Sequence, residues 1–339
     1  MKKTLLCLLL TIALLSNYTF GQTAQDSYKK GKELDKTEDF NGAIAEFDNA
    51  IKANPNYVEA YFSRGLDKYK LKDYKGALTD LDKVIELKPD SNSFYYRGLT
   101  QYILGNYKLA IGDFDKAIEL NTTFTNVFNY RGKAKFVVDD YTGAIADFDK
   151  ALQSDSADVD MYSFRAKAKY LLKDYANSIN DYTIVAKMNP TDAEPVYSMG
   201  LNKFMLKDYP GAIADYNKAI ELKPDYAEVY YSRGLTNQAQ KLFKEAIVDF
   251  SKVIELNPKS MDAFYNRGVS NLVLKDIPNA IADFNKSIEL NPEHANSYFF
   301  RGTAKFNSSD KEGACVDWTK AGELGIEKAK EMVTKYCTK

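Results

Sequence analysis

The stretch "DYKGALTDLDKVIELKP", residues 73–89, returns almost unchanged as "DYPGAIADYNKAIELKP" at residues 208–224. Its apolar residues Tyr74, Ala77, Leu78, Leu81, Val84 and Ile85 recur at three- and four-residue steps, which puts them on one face of a helix. Lys75, Asp80, Asp82, Lys83 and Glu86 fall largely on the other. Asp73 opens the segment with a short acceptor side chain, suited to an unpaired backbone N–H at a helix start, and Pro89 stops it.

Further copies start near Asp39, Asn106, Asp140, Asp174, Leu242, Asp276 and Asp310, and the interval between successive copies is 34 residues except for one of 33. The short interval arises where "PDSNSFYYRG" replaces the longer "PNYVEAYFSRG". So constant a period over most of the chain marks a repeat architecture rather than separate domains. A second amphipathic segment precedes each copy, as in "AEVYYSRGLTNQAQ" from residue 227, so each unit is predicted to be helix, turn, helix.

Two positions in each unit are small. The first carries Gly31, Gly65, Gly98, Gly132, Ala166, Gly200, Gly234, Gly268 and Gly302, and the second carries Ala43, Ala77, Ala110, Ala144, Ser178, Ala212, Ala246, Ala280 and Ala314. Glycine inside a helix costs about 1 kcal/mol relative to alanine, so its recurrence predicts a contact that needs the space. Four residues after the second small position stands a large ring, Phe47, Phe114, Phe148, Tyr182, Tyr216, Phe250, Phe284 or Trp318, with Leu81 the exception.

With Tyr230, Arg233, Gly234, Ala246, Phe250 and Pro258 at the family spacing, the seventh unit resembles the tetratricopeptide repeat family, and the resemblance covers about residues 23–324. The chain departs from the family pattern in carrying Tyr or Phe where Trp is commonest, Arg where Leu is commonest, and often Lys where Tyr is usual. The resemblance implies an all-α fold: a right-handed α-solenoid of nine helix-turn-helix units over residues 22–324, about one superhelical turn with a concave groove. Such arrays need covered ends, and "GIEKAKEMVTKYC" from residue 325 presents Ile326, Ala329, Met332, Val333 and Tyr336 as one apolar stripe, so residues 325–339 are expected to form a C-terminal capping helix.

At the N-terminus, Lys2 and Lys3 precede an apolar run from Leu5 to Leu15 and a polar stretch ending at Gly21. This is the pattern of a secretory signal over residues 1–21, too short for a comfortable membrane span. The mature protein is therefore expected to be exported, periplasmic or extracellular, with no stable membrane span. Cys7 leaves with the signal, and Cys315 and Cys337 remain. Folding the chain back around Gly322–Gly325 brings these two to a borderline distance for a disulfide, which an oxidising compartment favours.

The charged residues, 46 Lys and Arg against 47 Asp and Glu, show no imbalance toward nucleic acid or an anionic membrane. One His and no C-x-x-C pair fall short of a zinc site, and neither another metal site nor a cofactor motif is recognised. The acidic run Asp155, Asp158, Asp160 lacks the glycine and distal Glu of a calcium loop and reads as a solvated turn. His294 reads as a surface histidine. An acid stands before the large-ring position in every unit (Glu46, Asp80, Asp113, Asp147, Asp181, Asp215, Asp249, Asp283, Asp317), and Arg precedes the first small position in seven. A catalytic site is made once, so these are expected to be structural ion pairs between helices, and no catalytic residues are assigned.

What remains for function is the face that the resemblance places in the groove, on the first helix of each unit. From the second unit onward its leading residues are Phe62, Tyr95, Asn129, Ser163, Tyr197, Tyr231, Tyr265 and Phe299, followed at the next step by Leu66, Leu99, Lys133, Lys167, Leu201, Leu235, Val269 and Thr303. Tyrosine joins a large apolar face to a polar tip and suits interfaces, although such rings also pack between repeats. The candidate peptide-binding residues are Phe62, Tyr95, Asn129, Lys133, Lys167, Tyr197, Tyr231, Tyr265 and Phe299. Tyr95, Tyr197, Tyr231 and Tyr265 are expected to be exposed anchors, and Lys133 and Lys167 to attract an acidic segment. The expected function is a non-enzymatic exported scaffold that binds a protein or peptide partner, and the alternative is an architectural subunit of a cell-envelope or secretion assembly.

Overall fold

The computed structural model describes residues 23–121, 125–154 and 158–337, and among them every regular element is a helix. The expected signal segment, residues 1–21, lies outside the described residues. No described helix is long and apolar enough to cross a membrane.

The chain groups into two compact units. The first ends at Leu172 and carries α1 (23–36), α2 (Phe40–Ala53), α3 (Val58–Lys70), α4 (Tyr74–Leu87), α5 (Ser91–Ile103), α6 (Tyr107–Leu120), α7 (Asn126–Val137), α8 (Tyr141–Ser154) and α9 (Val159–Leu171). The second begins at Lys173 and carries α10 (Tyr175–Met188), α11 (Ala193–Met205), α12 (Tyr209–Leu222), α13 (Ala227–Ala239), α14 (Phe243–Leu256), α15 (Met261–Val273), α16 (Ile277–Leu290), α17 (Ala295–Asn307), α18 (Lys311–Glu323) and α19 (Glu327–Tyr336). Odd-numbered helices up to α17 are the A helices of the repeat, and even-numbered ones the B helices. From α2 to α9 in the first unit and from α10 to α19 in the second, each helix packs on the next, A on B and B on the following A. The fold is an all-α solenoid of helical hairpins.

The small-meets-large rule has a direct physical basis. A Cβ built on Gly98 would lie 2.7 Å from the Phe114 ring, one on Gly200 2.5 Å from Tyr216, and one on Gly234 2.8 Å from Phe250. Each ring has slid under the A helix until only a hydrogen fits above it, and Phe114, Tyr216 and Phe250 are fully buried. Where Leu81 replaces the ring, a Cβ on Gly65 would come no closer than 3.2 Å to Asp80 Cβ and 3.5 Å to the Ala77 carbonyl oxygen and Leu81 Cγ.

The B helices start as expected at Asp39, Asp73, Asp140, Asp208, Asp276 and Asp310, whose carboxylates accept from a backbone N–H three residues on. Two expected caps are not made. Asn106 donates its amide to Gln101 instead, and Asp174 is engaged by the Asn177 side chain. A second glycine explains the working caps: in five of the six the third helical residue is Gly42, Gly76, Gly143, Gly211 or Gly313, and a Cβ there would fall 2.1–2.4 Å from the capping carboxylate oxygen. The cost of glycine in a first turn is offset by the cap, worth about 1 kcal/mol.

At the C-terminal end, Ala329 of α19 is buried against Trp318 and Ala321, with Met332, Val333 and Cys337 packed around them. Cys315 and Cys337 are joined by a disulfide, their Cα atoms 5.7 Å apart.

Candidate functional site

Six of the arginines, Arg64, Arg97, Arg131, Arg233, Arg267 and Arg301, repeat one bond to a buried acid, a ladder within each unit rather than a reaction centre. Arg97 donates from Nε to Asp113 at 2.9 Å and reaches with Nη1 to Asp82 of the preceding hairpin at 2.7 Å. Arg131 does the same with Asp147 at 2.8 Å and Asp115 at 2.6 Å, and Arg301 with Asp317 at 2.9 Å and Asn285 at 2.7 Å. One guanidinium thus ties its own B helix to the previous one, a geometry that needs the planar fork of arginine. Each of these guanidinium groups also lies over the ring three residues earlier, as Arg97 does over Phe94 at 5.5 Å.

The departure from the family at the next A-helix position, Lys or Asn in place of Tyr, is explained by the same acids. Lys68, Lys135 and Lys305 bond Asp80, Asp147 and Asp317 at 2.8–2.9 Å, and Asn237 and Asn271 bond Asp249 and Asp283 at 2.9 and 3.0 Å. A buried carboxylate has several lone pairs to satisfy, and this position supplies another donor. Met199 stands where the arginine would be in the α11/α12 hairpin, and there Asp215 has Lys203 at 2.7 Å. Burial pushes Asp215 above the usual carboxylate range, with Lys203 pulling partly back.

The four expected tyrosine anchors do not stand free in solvent. Tyr95 packs on Tyr96, Phe114 and Tyr130, Tyr197 on Tyr216 and Tyr226, Tyr231 on Phe250, and Tyr265 on Phe284, His294 and Phe300. All four are half-buried, and burial raises the phenol pKa of Tyr95, Tyr231 and Tyr265. The expectation that they are exposed anchors is corrected: each touches the ring that fills the glycine's space. Each ring is therefore part core and part surface. Phe62 and Phe299 are likewise half-buried, each edge-on to a neighbouring ring, Tyr96 and Phe300.

Lys133 is not a free cation either. Its ammonium lies 4.0 Å from Asp160 and over the Tyr130 and Phe164 rings at 5.8 and 5.4 Å. Lys167 on α9 is exposed, and Asn129 on α7 is half-buried. Of the acidic run, Asp158 caps α9 through the Met161 N–H at 2.9 Å, Asp160 pairs with Lys133, and Asp155 lies outside the described residues. His294 is half-buried rather than on the surface, edge-on to Tyr265 at 4.9 Å and hydrogen-bonded through Nδ1 to Ser297 Oγ at 2.7 Å. Burial lowers its pKa. Among the described residues no group of three His, Cys, Asp or Glu is placed to hold a metal.

Two features escape a reading by residue pattern. In the second unit a cavity of about 250 Å³ opens between α11, α13 and the α14–α15 connection, lined by Tyr197, Glu228, Tyr231, Ser232, Ser260 and Asp262 among others. The last residues of several A helices leave aliphatic side chains exposed: Ile103, Leu104 and Val137 in the first unit, Met205, Leu206, Val273 and Leu274 in the second.

Family models now place the chain. A model described as "Tetratricopeptide repeat" matches residues 28–92 and 62–123, another of the same description matches 227–260 and 262–294, and one described as "TPR repeat" matches 203–241. The chain belongs to the tetratricopeptide repeat family. Proteins of this family are generally non-enzymatic scaffolds, and no catalytic family is indicated for this member. Among curated proteins none matches it significantly. A tetratricopeptide repeat protein of Parabacteroides merdae ATCC 43184 shares the fold, with a TM-score of 0.53 and 20% identity over 73% of this chain and 99% of that one. A crystal structure of MamA protein covers 53% of this chain and 96% of its own at 24% identity and a TM-score of 0.47. A structure of YrrB, described as a TPR protein with an unusual peptide-binding site, covers 54% and 95% at 24% identity and a TM-score of 0.46.

Proposed function

We propose that this tetratricopeptide repeat protein is an exported, non-enzymatic scaffold that holds a protein or peptide partner on the stripe of its A helices. The observation that carries this reading is the recurrence of half-exposed aromatic faces at one A-helix position, Tyr95 in the first unit and Tyr197, Tyr231, Tyr265 and Phe299 in the second. A ring already fixed on its inner side loses little side-chain entropy when a partner covers the outer side, which favours it as an interface anchor. Export is supported by the N-terminal charge and hydropathy pattern and by the Cys315–Cys337 disulfide, a bond that persists in oxidising compartments. The mature chain is expected to begin at or near Gln22, and its intact mass checks this: a native protein that retains Met1 and stays in the cytosol removes the export part of the proposal.

Truncating the tyrosines would confound binding with stability, because their inner faces are core. Photo-crosslinking in place separates the two. A photoreactive residue at Lys167 or Leu235 on A helices is expected to trap a partner in envelope fractions, while the same residue at Leu109 or Val248, which are 60% and 67% exposed on B helices, is expected to trap none. Adducts from the B-helix positions alone would remove the stripe reading. They would favour the architectural alternative, to which the exposed Ile103, Leu104, Met205, Leu206, Val273 and Leu274 give independent support, since exposed apolar side chains in number mark surfaces covered in an assembly.

A further inference from the structure

In the second unit an acid and a tyrosine three residues apart repeat in three successive A helices: Glu194 and Tyr197 on α11, Glu228 and Tyr231 on α13, Asp262 and Tyr265 on α15. Residues three apart share a helix face, and these A helices touch one another in order. Glu194 accepts from the Tyr226 hydroxyl, and Tyr226 packs on Tyr197 at 5.3 Å, so the first acid is held against the rings. Glu228 and Asp262 are exposed, and neither pairs with a basic side chain among the described residues. Both line the cavity of about 250 Å³, together with the Tyr197 and Tyr231 rings and the polar Ser232, Asn257 and Ser260. The Tyr197 hydroxyl is hydrogen-bonded to Ser232 Oγ at 3.1 Å, and Tyr231 Oη accepts from Asn266 at 3.1 Å, so both rings are fixed in place. The Asp262 charge reaches Tyr231: after burial, it is the next cause of that phenol's raised pKa. The first unit lacks this arrangement. Its counterparts include Glu59 before Phe62, the uncharged Asn92 and Asn126, and Asp160, which precedes Ser163 and lies 4.0 Å from Lys133, so no two successive A helices there carry an acid and a tyrosine.

We infer that this cavity receives the cationic side chain of a lysine or arginine from an extended basic segment of a partner protein. The inference rests on the A-helix stripe being the binding surface and names the partner's chemistry there. The cavity is below the usual range of pockets for whole small molecules, about 300 to 1,000 Å³, and suits a single side chain. Aromatic faces attract a cation through their quadrupole, and two carboxylates at the mouth neutralise it. An acidic or purely apolar segment would leave Glu228 and Asp262 facing a like charge or a dry surface, either of which is unfavourable.

The test uses the full mature chain and three fluorescent eight-residue glycine–serine peptides carrying three arginines, three lysines or three glutamates, each with a photoreactive group. The arginine and lysine peptides are expected to bind, to weaken as salt rises, and to crosslink within residues 227–262. Glu228→Gln with Asp262→Asn is expected to weaken them about tenfold without moving the melting temperature, and Glu228→Lys to weaken them further. The glutamate peptide is expected not to bind. Equal binding by wild type and Glu228→Gln/Asp262→Asn, crosslinks elsewhere, preference for the glutamate peptide, or no binding of the basic peptides would overturn the inference. Partner adducts from Lys167 or Leu235 would still stand in any of those cases, so the wider stripe reading fails only when they too are absent.

Discussion

Arg233→Ala is expected to lower the unfolding free energy by about 3 to 5 kcal/mol, the usual effect of removing one partner of a buried ion pair. Asp249, whose side chain is only 3% exposed, would keep Asn237 at 2.9 Å but lose two charged donors, Nε at 3.0 Å and Nη2 at 2.6 Å. The same change cuts the link from Nη1 to Asn217 on the preceding hairpin, 2.5 Å long, so α12 and α14 loosen together. A pH signature identifies the cause. Burial already raises the Asp249 pKa, with Arg233 pulling it down, and without Arg233 it rises further. Between the unfolded carboxylate pKa near 3.9 and that raised value, the folded state binds more protons than the unfolded state, so stability falls as pH rises through the window. The deficit of Arg233→Ala relative to wild type is therefore expected to be larger at pH 7 than at pH 4, close to the unfolded carboxylate pKa. Urea unfolding at both values measures it. A deficit under about 1 kcal/mol, or one that does not change with pH, would show that Asp249 does not depend on its arginine. Replacing both partners by apolar residues of similar volume is expected to recover much of the loss, because no charge is then stranded.

Removing the disulfide, by Cys315→Ala with Cys337→Ala, is expected to cost about 3 kcal/mol, the loop-closure value for the 22-residue separation it spans. The loss should be local. Helix α19 packs on α18, and the bond joins this last described helix to the solenoid. Hydrogen exchange is expected to rise throughout α19, and Trp318 fluorescence to shift red as Ala329, Val333 and Tyr336 leave the indole, which is fully buried in the intact protein. If α19 keeps its protection in the double alanine variant, side-chain packing alone holds the cap. In that case the bond is dispensable for stability.

The repeat, its helix pairs and the glycine-to-ring contacts were legible in the residues themselves. They follow from local rules: the period of apolar residues selects a helix, a proline ends it, and a glycine recurring opposite a ring implies close approach. Other features were legible only as patterns without a cause. Asp73 and Gly76 are three apart in the chain, but only the folded turn shows that the carboxylate occupies the space of a missing Cβ. Arg97 and Asp113 recur at fixed spacing, yet the reach of the same guanidinium back to Asp82 depends on how one hairpin sits on the previous one.

For the candidate site the division is sharper. Sequence position put Tyr95, Tyr197, Tyr231 and Tyr265 on the right helices and on one face. It could not say how deep each ring lies, because depth depends on Phe114, Tyr216, Phe250 and Phe284, which stand 19 residues further along and on the other helix of the hairpin. Lys133 read as a free charge until the next A helix brought Asp160 beside it. Glu228 and Asp262, 34 residues apart, share a cavity only because successive A helices lie side by side. Local periodicity thus determined what each segment becomes. The stacking of hairpins, which brings together residues a whole repeat apart, decided which charges are spent within the fold and which stay exposed on its surface.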